Sequence, residues 1–290
     1  MQKGPVTPKG FVDMFPETAA RRRVFINKIS LVLEKYDFVP LETPIVEFAE
    51  TLLGKYGEEE KLIYTFEDKG GRKLALRYDL TVPLARFVAN NLGLLKPTFS
   101  RYQIGQVFRG EKPQKGRSRE LTQFDYDIVG SNNLQEDARI IAAAIDGFRI
   151  IGLTKSKMAV NDRVNFKDLP VEDIRLIDKM HKIGKENLPS NLIDFVNLAK
   201  PTDNLVKIFK VLKEDYKLVE NKDFFFDPTL ARGLDYYTST VFEMKLNGLP
   251  SDLSIGGGGR YDNLIGMFAG RQIPAVGFSF GIDRIIELTN

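Results

Sequence analysis

The chain has 290 residues but contains no cysteine and only one histidine, His181. Without thiols it can form neither disulfide bonds nor the thiolate centres of cysteine catalysis and cysteine zinc sites. A single histidine also excludes metal centres built from several histidines and argues against a Ser-His-Asp triad. Any catalytic chemistry of this chain must therefore come from other side chains.

Long apolar runs are missing as well, since no segment approaches the ~20 apolar residues that span a bilayer. The first five residues, Met1 to Pro5, have no apolar signal-peptide core. We therefore expect a cytoplasmic protein that does not bind membranes. The net charge is only +3. It allows a nucleic-acid partner without requiring one, because a local basic patch matters more than the total charge.

The pattern of secondary structure changes twice along the chain. Residues 1–163 mix amphipathic helices with alternating strands, residues 164–222 are helical and rich in lysine, and residues 223–290 return to strands. A helical block between two strand-rich blocks predicts one α+β domain that is interrupted by a helical insertion. Helices are predicted at residues 17–36 and 134–151.

The most informative segment is a predicted hairpin around a basic loop. Residues 101–107 and 123–130 alternate like strands, and residues 108–120 between them are rich in lysine and arginine. A loop of this kind suits the phosphates of a nucleotide or a nucleic acid. Runs of charge are usually solvated surface, so a plain surface hairpin is the alternative for this loop on its own.

Three further segments place polar side chains where strands begin or end. Residues 76–81 bring an acid and a hydroxyl to the start of a helix, although they could simply cap it. Residues 230–238 put an arginine before two tyrosines, with an ordinary aromatic strand as the alternative. Residues 256–262 place four glycines before Arg-Tyr-Asp, which lets the backbone approach a ligand closely, with a flexible turn as the alternative. None of these segments is a Walker loop or a dinucleotide-binding fingerprint.

In their order these segments resemble the histidyl-tRNA synthetases, which are class II aminoacyl-tRNA synthetases, from about Pro8 to Ile286. The resemblance implies a mostly antiparallel sheet flanked by helices, with a small helical insertion. The matching segments are residues 42–45 (first motif, at the family's dimer interface), 108–127 (second motif), 278–284 (third motif), 232–238 and 258–262 (both specific to the histidine enzymes) and 76–81 (substrate binding).

The resemblance implies a two-step reaction with L-histidine, ATP and the acceptor end of tRNA(His). Histidine and ATP form histidyl-adenylate and pyrophosphate, with Mg²⁺ accompanying ATP, and the histidyl group then passes to the tRNA. It also implies a homodimer and no metal site built from protein side chains. Arg109 and Arg232 would be the catalytic residues, since the planar fork of arginine fits the oxygens of the α-phosphate.

Further roles follow for the ATP-binding residues. Glu111 would read the adenine amino group, and Arg284 would stack on the base and contact the γ-phosphate. Leu121 stands where the family usually has a phenylalanine beside the adenine, so the affinity for ATP could differ. Four basic side chains of the hairpin loop would face the tRNA, namely Lys112, Lys115, Arg117 and Arg119.

The amino acid would be held by a different group of side chains. Asp79 and Thr81 would bind its α-amino group, and Asp127 and Tyr237 would hold the imidazole nitrogens, one of which donates and one of which accepts when the ring is neutral. The complete histidine-binding set that the resemblance implies is Asp79, Leu80, Thr81, Arg109, Gln123, Asp127, Arg232, Tyr236 and Tyr237.

One departure from the family concerns the end of the chain. The sequence stops at Asn290, where the family normally continues into an anticodon-binding domain, so we expect a catalytic domain without that domain. The alternative is the histidine-sensing regulatory subunit of ATP phosphoribosyltransferase, which lacks the same domain. Regulatory relatives tend to lose the arginines that handle ATP. Because Arg109, Arg232 and Arg284 are all present, the sequence favours the enzyme.

Overall fold

The computed structural model describes residues 6–112, 118–231, 236–246 and 254–289. Eight strands form the main sheet in the order β1-β5-β6-β11-β10-β9-β7-β8, and three form a small sheet in the order β2-β4-β3. The strands are β1 (Val39–Pro40), β2 (Val46–Phe48), β3 (Thr65–Glu67), β4 (Lys73–Leu76), β5 (Phe99–Phe108), β6 (Glu120–Val129), β7 (Ser156–Asp162), β8 (Phe224–Phe226), β9 (Thr240–Leu246), β10 (Ser254–Arg260) and β11 (Ala275–Gly281).

Helices surround these sheets. They are α1 (Pro16–Lys35), α2 (Ala49–Leu52), α3 (Thr81–Asn91), α4 (Leu134–Ile150), α5 (Val171–Asp178), α6 (Met180–Ile183), α7 (Ser190–Leu198), α8 (Asp203–Glu214), α9 (Gly266–Ala269) and α10 (Ile282–Leu288), with short 3₁₀ turns at Gly57–Leu62, Arg163–Phe166 and Lys185–Asn187. No helix among the described residues is both long and apolar enough to cross a membrane.

Pairing in the main sheet is antiparallel except at its two edges, where β1 pairs with β5 and β7 with β8 in parallel. This is the mostly antiparallel α+β architecture that the sequence predicts. The predicted helices are confirmed as α1 and α4, and the predicted hairpin is confirmed as β5 and β6. The Asn133 side chain caps α4 by accepting a hydrogen bond from the backbone N–H of Gln135 at 3.1 Å.

The two faces of β6 have different environments. Because side chains alternate along a strand, Phe124 and Tyr126 point into the core, where they meet Phe278 and Phe280 of β11. The apolar face of α4, including Phe148, packs over these rings. The opposite face of the strand carries polar side chains, and it is on this face that the candidate site lies.

The predicted insertion packs in two ways. Helices α5 and α7 bury Ile177, Leu192 and Val196 in a small cluster of their own with Phe166. Helix α8 instead buries its apolar face in the main core beside α4; the buried residues are Leu205, Ile208, Phe209 and Leu212. The boundaries at residues 164 and 222 remain a prediction from composition.

Candidate active site

Two adjoining cavities open on the polar face of the main sheet. The larger has a volume of about 460 Å³ and the smaller about 180 Å³, and both are lined by Gln123, Gly257 and Ser279. The larger is also lined by Glu59, Tyr78, Arg109, Glu111, Ser118, Leu121, Thr122, Ser254, Gly256, Gly281, Asp283, Arg284 and Glu287. The smaller is also lined by Asp79, Thr81, Asp125, Asp127, Tyr236, Tyr237, Tyr261, Gly277 and Phe278.

Glycines make room for the cavities in the middle of the sheet. Residue Gly277 of β11 pairs with Asp127 of β6, and a Cβ atom on this glycine would collide with the Asp127 carboxyl. On β10, a Cβ on Gly258 would collide with the carbonyl oxygen of Gly277. A Cβ on Gly257 would lie 3.3 Å from the carbonyl oxygen of Phe242, its nearest neighbour, and no closer than 3.9 Å to any other atom outside the adjacent residues. Close strand packing therefore requires Gly258, whereas Gly257 leaves open space where the cavities meet.

Arg109 lies in the larger cavity in a fixed position. Its guanidinium carbon lies 4.5 Å from the centroid of the Tyr78 ring, and its Nε donates to the Tyr78 carbonyl oxygen at 3.2 Å. The Tyr78 hydroxyl in turn donates to Glu59 at 2.8 Å. This stack holds the guanidinium beside the cavity, into which its remaining N–H groups can reach.

The start of α10 closes the far end of the larger cavity. Arg284 donates from Nη1 to the carbonyl oxygen of Ser254 at 2.5 Å, which keeps its side chain along the cavity. Asp283 accepts the backbone N–H of Thr122 at 2.7 Å and so fastens α10 to β6. Burial raises the pKa of Asp283, while the hydrogen bond from Thr122 opposes the shift.

Asp79 serves both the helix and the smaller cavity. Its Oδ1 accepts the backbone N–H groups of Thr81 and Val82, at 3.1 and 3.0 Å, and the hydroxyl of Tyr56 at 3.0 Å. Its Oδ2 is buried and has no hydrogen-bond partner among the described residues. The capping interpretation of residues 76–81 is confirmed, because one oxygen caps α3. The substrate-binding interpretation stays a prediction, with Asp79 lining the smaller cavity. Burial raises the pKa of this carboxyl, and the hydrogen bonds oppose the shift.

The floor of the smaller cavity is a buried ion pair. Arg101, which is fully buried, places Nη2 2.7 Å from Oδ2 of Asp127, and the hydroxyl of Tyr261 donates to Oδ1 of Asp127 at 2.5 Å. Burial raises the pKa of Asp127, whereas Arg101 and Tyr261 lower it. The rings of Tyr236 and Tyr237 pack edge to face, with centroids 5.0 Å apart, and form a wall above this floor.

Asp125 is the functional candidate that our reading of the sequence missed. It lies between Gln123 and Asp127 on the same face of β6 and also lines the smaller cavity. Burial raises its pKa to about 7, with Arg101 opposing the shift and Asp127 adding to it. The period-2 alternation of the strand is the signal that could have identified it, since residues 123, 125 and 127 must share one face.

The predicted site residues are brought together only in part. Those lining the cavities are Asp79, Thr81, Arg109, Glu111, Leu121, Gln123, Asp127, Tyr236, Tyr237 and Arg284. Leu80 is fully buried and lines neither cavity. Lys112 is exposed, and Arg119 donates to the backbone carbonyls of Glu111 and Lys9 at the base of the loop. Arg232, Lys115 and Arg117 lie outside the described residues.

The chain is similar to known proteins over most of its length. The family model described as histidyl-tRNA synthetase matches residues 10–176 and 168–285. The histidine–tRNA ligase of Aeropyrum pernix is 43% identical over 98% of this chain and 74% of its own length. The crystal structure of histidyl-tRNA synthetase from Nostoc sp. is 31% identical with a TM-score of 0.81, covering 99% of this chain and 75% of that chain.

A second solved structure has a similar fold at lower sequence identity. A protein of Bacillus halodurans, described as an ATP phosphoribosyltransferase regulatory subunit/histidyl-tRNA synthetase, has a TM-score of 0.81 at 24% identity, covering 98% of this chain and 83% of that chain. At that identity the likeness concerns the fold alone. The family model and the sequence identity to the ligases are more specific than the fold, and they establish that this chain belongs to the histidyl-tRNA synthetase family.

Proposed function

We propose that this chain activates L-histidine with ATP, forming histidyl-adenylate and pyrophosphate, and then transfers the histidyl group to tRNA. The proposal rests on two cavities of different size and chemistry that meet at Gly257. The larger has arginines for a nucleotide, and the smaller has carboxyls and tyrosines for an amino acid. Two bound substrates would thus touch at one point, as the condensation requires.

The first step joins two anions and needs positive charge at the point of attack. A carboxylate oxygen of histidine attacks the α-phosphorus of ATP, a P–O bond forms, and the bond to pyrophosphate breaks, so no proton has to be transferred. Arg109, held by Tyr78, is positioned to stabilise charge that develops on the α-phosphate oxygens. Arg232, assigned by family resemblance, would contact the same phosphate.

The remaining nucleotide contacts are assigned to the larger cavity. Glu111 would accept the adenine amino group, Leu121 would pack on the base, and Arg284 would stack on its other side and reach the γ-phosphate. Mg²⁺ would accompany ATP as part of the substrate. Its ligands would be mainly phosphate oxygens and water. Among the residues described, no group of three or more His, Asp or Glu side chains could hold a metal ion.

The histidine contacts are assigned to the smaller cavity. The unpartnered Oδ2 of Asp79 would accept the α-ammonium group, with Thr81 and Gln123 beside it. Asp127, Tyr236 and Tyr237 surround the far end, where the imidazole would lie. A cavity built to hydrogen-bond both ring nitrogens rejects apolar side chains of similar size, because its own buried polar groups would then lack partners.

In the second step the adenylate would meet the 3′ end of tRNA. A terminal ribose hydroxyl attacks the histidyl carbonyl carbon, AMP leaves, and the histidyl ester remains on the tRNA. The basic side chains of the loop at residues 112–119 are proposed to face this end of the tRNA. Such contacts to phosphates would make tRNA binding weaken with added salt.

A homodimer is also proposed, through the surface around the first motif. Val39, Ile45, Val46 and Phe48 are all at least 40% exposed on this side of the molecule, although they are large and apolar. A cavity of about 580 Å³, larger than either cavity of the active site, opens between residues 42–48 and α3. A second copy covering this surface would explain both features. Light scattering on the purified protein should give twice the chain mass of 32.9 kDa.

The proposed activity is tested by histidine-dependent exchange of pyrophosphate into ATP. The intact protein should catalyse the exchange, and Arg109→Ala should lower its rate by about 100-fold or more, as for loss of a contact to the transition state. The matched control is Arg23→Ala, since Arg23 is exposed on α1, and it should exchange at the wild-type rate. A folded wild-type protein that binds histidine but does not exchange would instead be a histidine sensor.

A further inference from the structure

Asp125 lines the smaller cavity, but the roles given above leave it without a function. It is only 4% exposed and sits between Gln123 and Asp127 on one face of β6. Its Oδ1 has no hydrogen-bond partner among the described residues, and the hydroxyl of Ser279 hydrogen-bonds to the same carboxyl. A buried carboxyl oxygen without a partner is costly in the empty protein, and a ligand N–H would remove that cost.

Asp127 differs from Asp125 in having an ion pair. Tyr261 donates to Oδ1 of Asp127, and Nη2 of Arg101 lies 2.7 Å from Oδ2, although this oxygen accepts no hydrogen bond among the described residues. The same guanidinium donates from Nη1 to the backbone carbonyl of Asp125 at 3.4 Å, so it faces the main chain of Asp125. Among the described residues, Oδ1 of Asp125 has neither a hydrogen bond nor an ion pair.

Tyr237 and Asp125 line the same cavity of about 180 Å³. Burial raises the pKa of the Tyr237 hydroxyl, and the negative charge of Asp125 raises it further, ahead of that of Asp127. The hydroxyl assigned to the imidazole thus lies in the electrostatic field of Asp125. A ring held against Tyr237 would lie within reach of that carboxyl.

We propose that Asp125 binds the imidazole of histidine by accepting an N–H hydrogen bond at Oδ1 and so determines, with Asp127, the selection of histidine. This inference rests on the proposed function, since it assigns the amino-acid substrate to the smaller cavity. Asp125 is a binding residue in this account. It takes no part in breaking or forming bonds.

The pairing has a consequence for pH. Imidazole has a pKa of about 6.5 and Asp125 one of about 7. Above these values Asp125 is ionised and the neutral ring still has one N–H to donate, so the hydrogen bond forms without a change in protonation. Below them the carboxyl and the ring each carry an additional proton, and the carboxyl must lose its proton to become an ionised acceptor. The affinity for histidine should therefore fall as the pH drops below about 7 and level off above it.

Other charged groups around the cavity could add their own pH dependence. Those that line it are Asp79 before α3, Asp127 on β6, Tyr236 and Tyr237 before β9, and Tyr261 after β10. Arg77 after β4 and Arg101 on β5 interact with the carboxyls of Asp125 and Asp127. All of them remain in a variant that changes Asp125 alone. The two pH profiles therefore differ by the titration of Asp125 and by its coupling to Asp79, Asp127 and Tyr237.

The experiment is calorimetric titration of L-histidine into the wild-type protein, Asp125→Asn and Asp125→Ser, from roughly pH 5.5 to 8.5 around the two pKa values. The wild-type affinity should rise as the pH increases to about 7 and then level off. Both variants should bind histidine about 10-fold or more weakly at neutral pH, the loss expected for a hydrogen bond to a charged group, and their affinity should rise less steeply because Asp125 no longer titrates. ATP binding should not change, and Asp194→Asn, which alters an exposed carboxyl on α7, should behave as wild type.

Each other outcome overturns the inference in a distinguishable way. A wild-type affinity that does not rise toward neutral pH, or variants that match the wild type in affinity and profile, would refute the role of Asp125 while pyrophosphate exchange still supported the proposed function. A wild-type protein that binds no histidine would refute both. The wild-type profile needs no substitution, so the test stands even if a variant fails to fold.

Discussion

The buried environment of the acidic side chains in the smaller cavity disfavours their charged form. Burial raises the pKa values of Asp79, Asp125 and Asp127, and each is opposed by specific N–H or O–H donors or by an arginine. Such groups reduce the stability of the folded protein and are typical of functional sites. The carboxyls of Asp79 and Asp125 each retain an oxygen without a partner among the described residues, which suits binding of a cationic ligand.

Asp125→Asn should therefore make the folded protein more stable. The pKa of Asp125 is about 7 in the folded wild type and about 3.9 in the unfolded chain. Across this window the folded state binds more protons, so wild-type stability falls as pH rises, by up to about 1.4 kcal/mol per pH unit from this group. Urea unfolding at several pH values should show that the difference in free energy of unfolding between Asp125→Asn and the wild type increases in favour of the variant as the pH rises.

The control for this prediction is again Asp194→Asn, whose stability should run parallel to that of the wild type at every pH. Parallel curves for Asp125→Asn and wild type would contradict the raised pKa of Asp125. Asp79 and Asp127 titrate in all three proteins, and because their charges interact with that of Asp125, the difference between the curves includes this coupling.

Individual site residues were partly predictable from the sequence. Asp79 and Asp127 belong to recognisable segments, and the structure places both at the smaller cavity. The alternative role of Asp79, as a cap for α3, is confirmed on one oxygen of the side chain, while the other oxygen is buried without a hydrogen-bond partner among the described residues. Asp125 was missed because its environment depends on Arg101 and Tyr237, which strand pairing brings to it from distant parts of the chain.

At the scale of elements, β10 shows two different requirements for glycine in adjacent positions. Gly258 is needed because a side chain would strike the backbone of β11. Gly257 lines both cavities, and its missing side chain leaves space between the two substrates. Gly258 is thus required for the packing of the sheet, whereas Gly257 leaves space for the proposed substrates.

Alanine substitutions separate these requirements. Gly258→Ala should lower the free energy of unfolding by about 1–3 kcal/mol or more, the usual cost of overpacking. Gly257→Ala should melt close to the wild-type temperature after a small adjustment at Phe242, yet lower pyrophosphate exchange by about 10-fold or more, because its methyl group enters the junction of the cavities. Full exchange by Gly257→Ala, or an unchanged melting temperature for Gly258→Ala, would contradict this division.

Element boundaries were largely predictable, whereas their arrangement was not. The periodicity that predicts α1 and α4, and the alternation that predicts β5 and β6, are local properties of the chain. The placement of β11 between β6 and β10 joins segments more than 100 residues apart, and no local pattern encodes it. For the same reason the sequence did not show that α8 packs beside α4 in the main core.

At the scale of the whole molecule, the site depends on strands from both halves of the chain. Gln123 and Asp127 lie on β6, while Gly257 and Ser279 come from β10 and β11, after the predicted insertion. The two cavities therefore exist only when the complete sheet has formed. The chain spans about three quarters of the length of its curated relatives, such as the 74% of the Aeropyrum pernix ligase, and both cavities are contained within that part.

The most direct test of the central claim is the rate of ATP–pyrophosphate exchange by the intact wild-type protein, measured separately with each of the twenty amino acids. Exchange should depend on L-histidine and stay at background with the other nineteen, since the carboxyl and tyrosine groups of the smaller cavity suit an imidazole with two ring nitrogens. No exchange with histidine by a folded protein, or equal exchange with a different amino acid, would contradict the account.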